Sequence, residues 1–165
     1  MEGRILTVNT GSTSTKIGFF DAGELVFEQK VFLSAETLAK YGSVMDLETE
    51  MKDAITEFLL SRGVELETID VVMARGGLIT PVVTGVYRVN KAMRDALYEG
   101  KEGVHACNLS AIIADDIAVH IDALRKARGP VGVRSLRTLP WRMRCYLNSS
   151  LEAGRSFRAE PSSMP

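Results

Sequence analysis

Thr7-Val-Asn-Thr-Gly-Ser-Thr-Ser-Thr-Lys16 is the stretch on which the fold of this chain turns. Its polar part, 9–16, follows the apolar run 5–8 and precedes Ile17 and Phe19, so it links two extended segments through a tight turn. Its Gly, Ser, Thr and Asn are turn formers. The same residues make up a ligand inventory. Gly11 lets a ligand approach the backbone closely. Ser12, Thr13, Ser14 and Thr15 supply hydroxyls, and Lys16 adds a point charge. Turn N–H groups can form an anion-binding nest. That set suits a polyphosphate, where positioning and charge stabilisation matter more than covalent chemistry. It is not a Walker loop, because GxxxxGK[ST] is absent and strands flank it on both sides. A polar hairpin that only turns the chain is the plainer reading of the same composition.

Working outward, Val26 and Phe27 lie beyond a second turn at Asp21-Ala22-Gly23, which predicts three strands in an antiparallel meander. Asp46 is expected to cap a helix over 47–62, with Met51, Ala54, Ile55, Phe58 and Leu59 at helical spacing and Gly63 as its stop. Residues 69–73 read as a buried strand. A hairpin is expected around Thr84-Gly85. Asn90 is placed to cap a helix over 91–98, and Asn108 another that includes Leu109, Ile112, Ile113, Ile117 and Ala118. Three strands followed by helix, strand and helix give an α/β order.

Composition narrows the classes. The 165 residues are 45% hydrophobic, enough to bury a core. No apolar run reaches the ~18 residues of a spanning helix, and the start lacks a signal-peptide pattern. Cys107 and Cys145 form no CxxC pair and no disulfide framework. A cytoplasmic protein is the expectation, with no membrane and no nucleic-acid partner. The formal charge of −1 conceals an asymmetry. Through Asp122 there are 11 Lys+Arg and 19 Asp+Glu, net −8; after it, 9 against 2, net +7. Such a break marks a boundary, so the chain divides into 1–121 and a basic segment 122–165.

The order N-x-G-S-[ST]-S-x-K after a first strand resembles the phosphate-binding signature of the acetate and butyrate kinases. Asn9, Gly11, Ser12, Thr13, Ser14 and Lys16 match it. Val71-Val-Met-Ala-Arg-Gly-Gly-Leu-Ile-Thr-Pro81, then Val83-Thr-Gly-Val-Tyr-Arg-Val-Asn90, and His105-Ala-Cys-Asn-Leu-Ser-Ala-Ile-Ile-Ala114 are closer still to butyrate kinase. The likeness covers roughly 4–120. It implies the acetate and sugar kinase/Hsp70/actin superfamily fold, with a ribonuclease-H-like first lobe. The implied activity is reversible transfer of the ATP γ-phosphoryl to butyrate, with ATP and Mg²⁺ required and a homo-oligomer as the family state. The Mg²⁺ ligands remain unassigned. The alternatives are a non-catalytic phosphate- or nucleotide-binding lobe, or a kinase for another short or branched-chain acid. One methylene changes binding by only ~1–3 kcal/mol.

The resemblance also distributes roles. Asn9, Gly11, Ser12, Ser14 and Lys16 would hold phosphate; Arg75 and His105 would stabilise the transferring group. Arginine suits that task because its fork grips carboxylate or phosphoryl bidentately. Gly76, Gly77, Val82, Val83 and Asn108 would meet the substrate. Each has a plainer reading: an exposed turn arginine, a surface histidine, bend glycines, core valines, a helix-capping asparagine. After the Asn108 helix the sequence leaves the family pattern, and 122–165 contain none of the Gly-rich adenosine motifs. This segment reads as a frameshifted or aberrant end. The other readings are a basic segment for nucleic acid or anionic membrane and a small domain. The chain by itself is expected to have little or no kinase activity.

Overall fold

The structure is a computed structural model that describes residues 3–83 and 85–127, and the backbone of Met143–Leu147. The meander forms as expected. Strands β1 (Arg4–Thr10), β2 (Ser14–Asp21) and β3 (Glu24–Phe32) pair antiparallel, with Asn9 opposite Lys16 at the β1–β2 end. Ala22 and Gly23 between β2 and β3 both take positive φ, 51° and 91°. A two-residue turn of that kind matches the right-handed twist of its strands.

Helix α1 (Ala35–Ala39) is short and capped by the Ser34 hydroxyl. Asp46 does not cap the next helix. It lies in a 3₁₀ turn, Val44–Leu47, whose cap is Ser43, and its carboxylate accepts from the Ser43 N–H. Helix α2 (Glu48–Ser61) then starts from Leu47 without a side-chain cap. The reason is local: a Ser followed three residues later by Asp makes a complete capping box one turn earlier.

Strand β4 (Val71–Arg75) runs parallel to β1, with Val8 beside Ala74. Strand β5 (Gly85–Tyr87) pairs with β6 (Met143–Leu147), not with β4. The hairpin expected at Thr84-Gly85 therefore does not pair with its preceding strand; Thr84 itself lies outside the described residues. Helix α3 (Lys91–Glu99) is capped by Asn90 as expected and ends on Gly100 at φ 59°. Helix α4 runs over Cys107–Ala127. The sheet order is β3-β2-β1-β4-β6-β5, with β1, β4 and β6 parallel.

The boundary placed at 121/122 falls inside α4. Beyond it, Arg125 donates to the carbonyls of Glu67 and Ile69 and sits 3.6 Å from Asp70. Of the basic segment, 128–142 and 148–165 lie outside the described residues.

Strand alternation explains the layers. Leu6, Val8, Thr10, Thr15, Ile17, Phe19, Val72 and Ala74 are buried, on one face. Helix α4 covers that face at β1 and β4, and α2 covers it at β2 and β3. Ten residues of α4 are buried, eight of them apolar, with Asn108 and Ser110 the polar exceptions. Asn9, Lys16 and Arg75 fall on the other face and are exposed.

A charged cluster fastens α3. Arg94 donates to Asp115 at 2.9 Å, Asp116 at 2.8 Å and the Ile112 carbonyl at 3.2 Å, and lies 3.6 Å from Glu48. Tyr98 donates to Glu48. Burial, then the Glu48 hydrogen bond, pushes the Tyr98 hydroxyl up to about 12. Burial, then Asp116, raises the Glu48 carboxyl above its ordinary 4.5. A raised carboxyl favours its protonated form in the fold. Its stabilisation is therefore complete below the unfolded value and is lost as pH rises through the folded one.

Urea unfolding tests this cluster. Arg94→Ala is expected to cost ~2–3 kcal/mol, since hydrogen bonds to charged groups contribute ~1.5–3 kcal/mol. Glu48→Gln mimics the protonated form, so its stability is expected to gain on the wild type as pH rises above 4.5. Parallel pH profiles for the two proteins would show that Glu48 does not titrate abnormally.

Candidate active site

Three chain segments converge at one end of the sheet. The first is the β1–β2 turn. Its Gly11 N–H donates to the Ser14 carbonyl at 2.8 Å, which closes a tight loop with Ser12 and Thr13 exposed at its tip. Pairing then places Asn9 opposite Lys16, and the β1–β4 register carries Arg75 one residue beyond Ala74. Directly paired residues share a sheet face. Lys16, Asn9 and Arg75 consequently lie in a row on the face away from α2 and α4, at the carboxyl ends of β1 and β4. Ligands of open α/β sheets bind outside the carboxyl ends of parallel strands.

Lys16 is already partnered. Its ammonium is 2.8 Å from Glu28 on β3, with both side chains about half exposed. An exposed pair of this kind contributes little to stability. It does fix where the cation sits before any anion arrives.

The second segment follows β4. Gly77 packs so closely on α4 that a Cβ there would lie 2.5 Å from Asn108 Cα and 2.7 Å from a Leu97 methyl. Only glycine fits without moving backbone. Leu78 N–H donates to Asn108 Oδ1 at 2.8 Å. Gly76 is half-buried beside them. Val82 is half-buried and Val83 is 59% exposed, with its carbonyl accepting from Tyr87. The two valines are thus not core residues.

The third segment is the start of α4. Asn108 was expected as a helix cap, but it lies inside the helix and is fully buried. Its amide nitrogen donates to the carbonyls of Leu97 and Gly103, at 3.3 and 3.0 Å, while its oxygen takes the Leu78 N–H. All of its polar atoms are spent on backbone, so it forms the floor under the site. His105 is exposed, its Nδ1 3.2 Å from both the Cys107 N–H nitrogen and the Cys107 sulfur. Burial raises the Cys107 thiol above its ordinary value, and the nearby Arg75 guanidinium opposes that shift. The His105 ring is thus held against Cys107 by its two Nδ1 contacts.

Two contacts near these residues escaped the sequence reading. Glu28 partners Lys16, and Thr10 with Ser110 joins β1 to α4. Thr10 was visible in principle, as a hydroxyl at a position where alternation demands a core residue. A shallow cavity lined by Arg4, Phe19, Asp21, Phe27 and Arg62 lies at the opposite end of the sheet, away from these groups. Among the described residues no group of three or more His, Cys, Asp or Glu is placed to hold a metal ion. Nor is any helix there long and apolar enough to cross a membrane.

The geometry defines an α/β lobe with a tight polar turn at the head of its parallel strands. Over 133 residues, 81% of this chain, the sequence is similar to Butyrate kinase 1 of Clostridium acetobutylicum, at 40% identity. It spans 38% of that relative's length. No family model matches. Among solved structures, YeaZ from Pseudomonas aeruginosa is similar at a TM-score of 0.41 and 10% identity, covering 73% of this chain and 40% of that one. The PPX-GPPA enzyme of Aquifex aeolicus gives 0.31 and 14%, covering 75% and 50%.

Alkylation of Cys107 reads the electrostatics of this spot directly. With its thiol raised, iodoacetamide labelling of the Cys107 peptide is expected to be slow at pH 7.5 and to keep climbing past pH 9. Arg75→Ala removes the opposing charge and is expected to move the curve to higher pH. A curve that stays in place would separate Arg75 from Cys107.

Proposed function

We propose that this lobe binds the phosphates of ATP and a short carboxylate in the manner of a butyrate kinase, for transfer of the γ-phosphoryl to the carboxylate. The observation behind this reading is the row of Lys16, Asn9 and Arg75 at the head of β1 and β4, beside the Gly11 turn and the His105 segment. The turn's hydroxyls and N–H groups, with Lys16, suit the polyphosphate. Glu28 would release Lys16 toward the incoming anion. Arg75 is placed to grip the transferring phosphoryl group or the carboxylate, and His105 to donate a hydrogen bond to it.

The acceptor needs no general base, because a carboxylate is ionised at pH 7. What remains is alignment and charge neutralisation. Mg²⁺ would arrive on the nucleotide and bring further neutralisation of phosphate charge. Butyrate is the substrate the sequence likeness favours, and half-buried Val82 and exposed Val83 would offer it apolar surface. A second reading, phosphate binding without turnover, is favoured by one observation. Asn9, Ser12, Lys16, Arg75 and His105 are all solvent-exposed here, whereas efficient transfer needs a site that excludes water.

Calorimetric titration with ATP-Mg and with butyrate, beside a coupled ADP assay, separates the two. ATP-Mg is expected to bind, Lys16→Ala to weaken it about tenfold (~1.4 kcal/mol), and acyl phosphate to stay near background for the 165-residue chain. Equal ATP-Mg affinity in wild type, Lys16→Ala and Arg75→Ala would refute binding at this turn. Robust turnover would refute the non-catalytic reading.

A further inference from the structure

Thr10 stands where β1 alternation places core residues, after Leu6 and Val8 on the helix-facing side, and it is only 4% exposed. A hydroxyl buried there costs free energy unless it is paired. Its partners come from the beginning of α4. Thr10 N–H donates to Ser110 Oγ at 2.9 Å, the two hydroxyl oxygens lie 2.7 Å apart, and Thr10 Oγ1 is 2.5 Å from the Ala106 carbonyl oxygen. Ser110 is itself fully buried.

The protons can be assigned without ambiguity. A carbonyl only accepts, so the Thr10 O–H must point to Ala106. Ser110 Oγ accepts the Thr10 N–H and gives its own O–H to Thr10 Oγ1. Reversing the hydroxyl pair would leave two lone-pair oxygens facing each other at 2.5 Å. Each hydroxyl thus gives one hydrogen bond and takes one, across about a hundred residues of chain. The turn closed by Gly11 N–H and the Ser14 carbonyl begins at the very next residue. Ala106 is the chain neighbour of His105.

We propose that Thr10 and Ser110 are positioning residues, whose paired hydroxyls clamp the end of β1 to the start of α4 and so hold the Gly11 turn in register with the His105 segment. The purpose given to that register rests on the phosphate-binding reading above; the clamp itself does not. Substrate is not touched by either hydroxyl.

Amide hydrogen exchange on the full chain tests it in the absence of any ligand. Thr10→Val, which keeps the shape and loses the hydroxyl, is expected to speed exchange at Gly11, Asn108 and Leu109 at least tenfold. Ile17 and Val72 are expected to keep their protection. Thr10→Ser is expected to restore wild-type rates within twofold. Ser110→Ala, a second route should Thr10→Val fold poorly, is expected to act on the same amides, and the double variant to be no worse than either single one. Unchanged protection in both single variants would overturn the clamp. So would a loss spread equally over Ile17 and Val72, or failure of Thr10→Ser to rescue. A parallel ATP-Mg titration keeps the two claims apart. Absence of binding by wild type would refute the functional reading while exchange still judges the clamp. Binding by wild type and Thr10→Val with equal affinity would overturn the positioning role.

Discussion

A single buried carboxamide underlies the arrangement of this lobe. Asn108 joins the loop after β4 to the end of α3 and to the turn at Gly103, three stretches that share no ladder or helix. Each would otherwise present a backbone group to the interior, and an unpaired buried group costs ~1–3 kcal/mol. The close contact of Gly77 with Asn108 follows from the same constraint, because the amide can reach Leu78 only if the loop lies directly on the helix. A buried amide is satisfied at few positions. The loop after β4 therefore takes its position from an interaction between one side chain and backbone.

The sheet adds the second constraint. Because β1 and β4 are parallel neighbours, both of their carboxyl ends emerge on one edge of the lobe. Lys16 reaches that edge only because β2 returns antiparallel from the Gly11 turn. The row of Lys16, Asn9 and Arg75 is thus assembled from a hairpin and a crossover connection, elements that fold through contacts of very different sequence separation. Arg94 and its carboxylates supply the matching support on the helix side, where α3 would otherwise touch α4 through few apolar groups.

Much of this was legible in the sequence, for identifiable reasons. The meander was readable because period-two alternation and the Ala22-Gly23 turn agree. The polar turn was readable because Gly, Ser, Thr and Asn gather between two apolar segments, a composition that a plain hairpin shares with a phosphate loop. The failures are equally specific. Asp46 looked like a helix cap, yet Ser43 three residues earlier completes a capping box around it. Asn108 looked like a cap because it precedes an apolar helix; burial among distant backbone groups gave it other partners. The partner of β5 was out of reach, since strand pairing across some sixty residues leaves no local signal. Thr10 was read only as a member of a polar turn, although its place in the alternation marked it as interior.

The electrostatics of the edge bear on what chemistry it can do. Lys16 and Arg75 are both cations on an exposed face, and in water at about 4 Å a unit charge pair is worth only ~1 kcal/mol. Screening at physiological salt reduces this further for exposed groups. Two such cations can locate a polyphosphate without stabilising a transition state strongly. Catalytic effect would come from removing solvent around the same groups, where each interaction grows several-fold as the local dielectric falls. The Glu28–Lys16 pair fits that division. While the site is wet it keeps the ammonium in place at little energetic cost. Under the proposed function, an anion that displaced Glu28 in a site freed of water would meet an unshielded ammonium. Lys16 and Arg75 are thus exposed cations whose pull on any anion would grow only as water was removed around them.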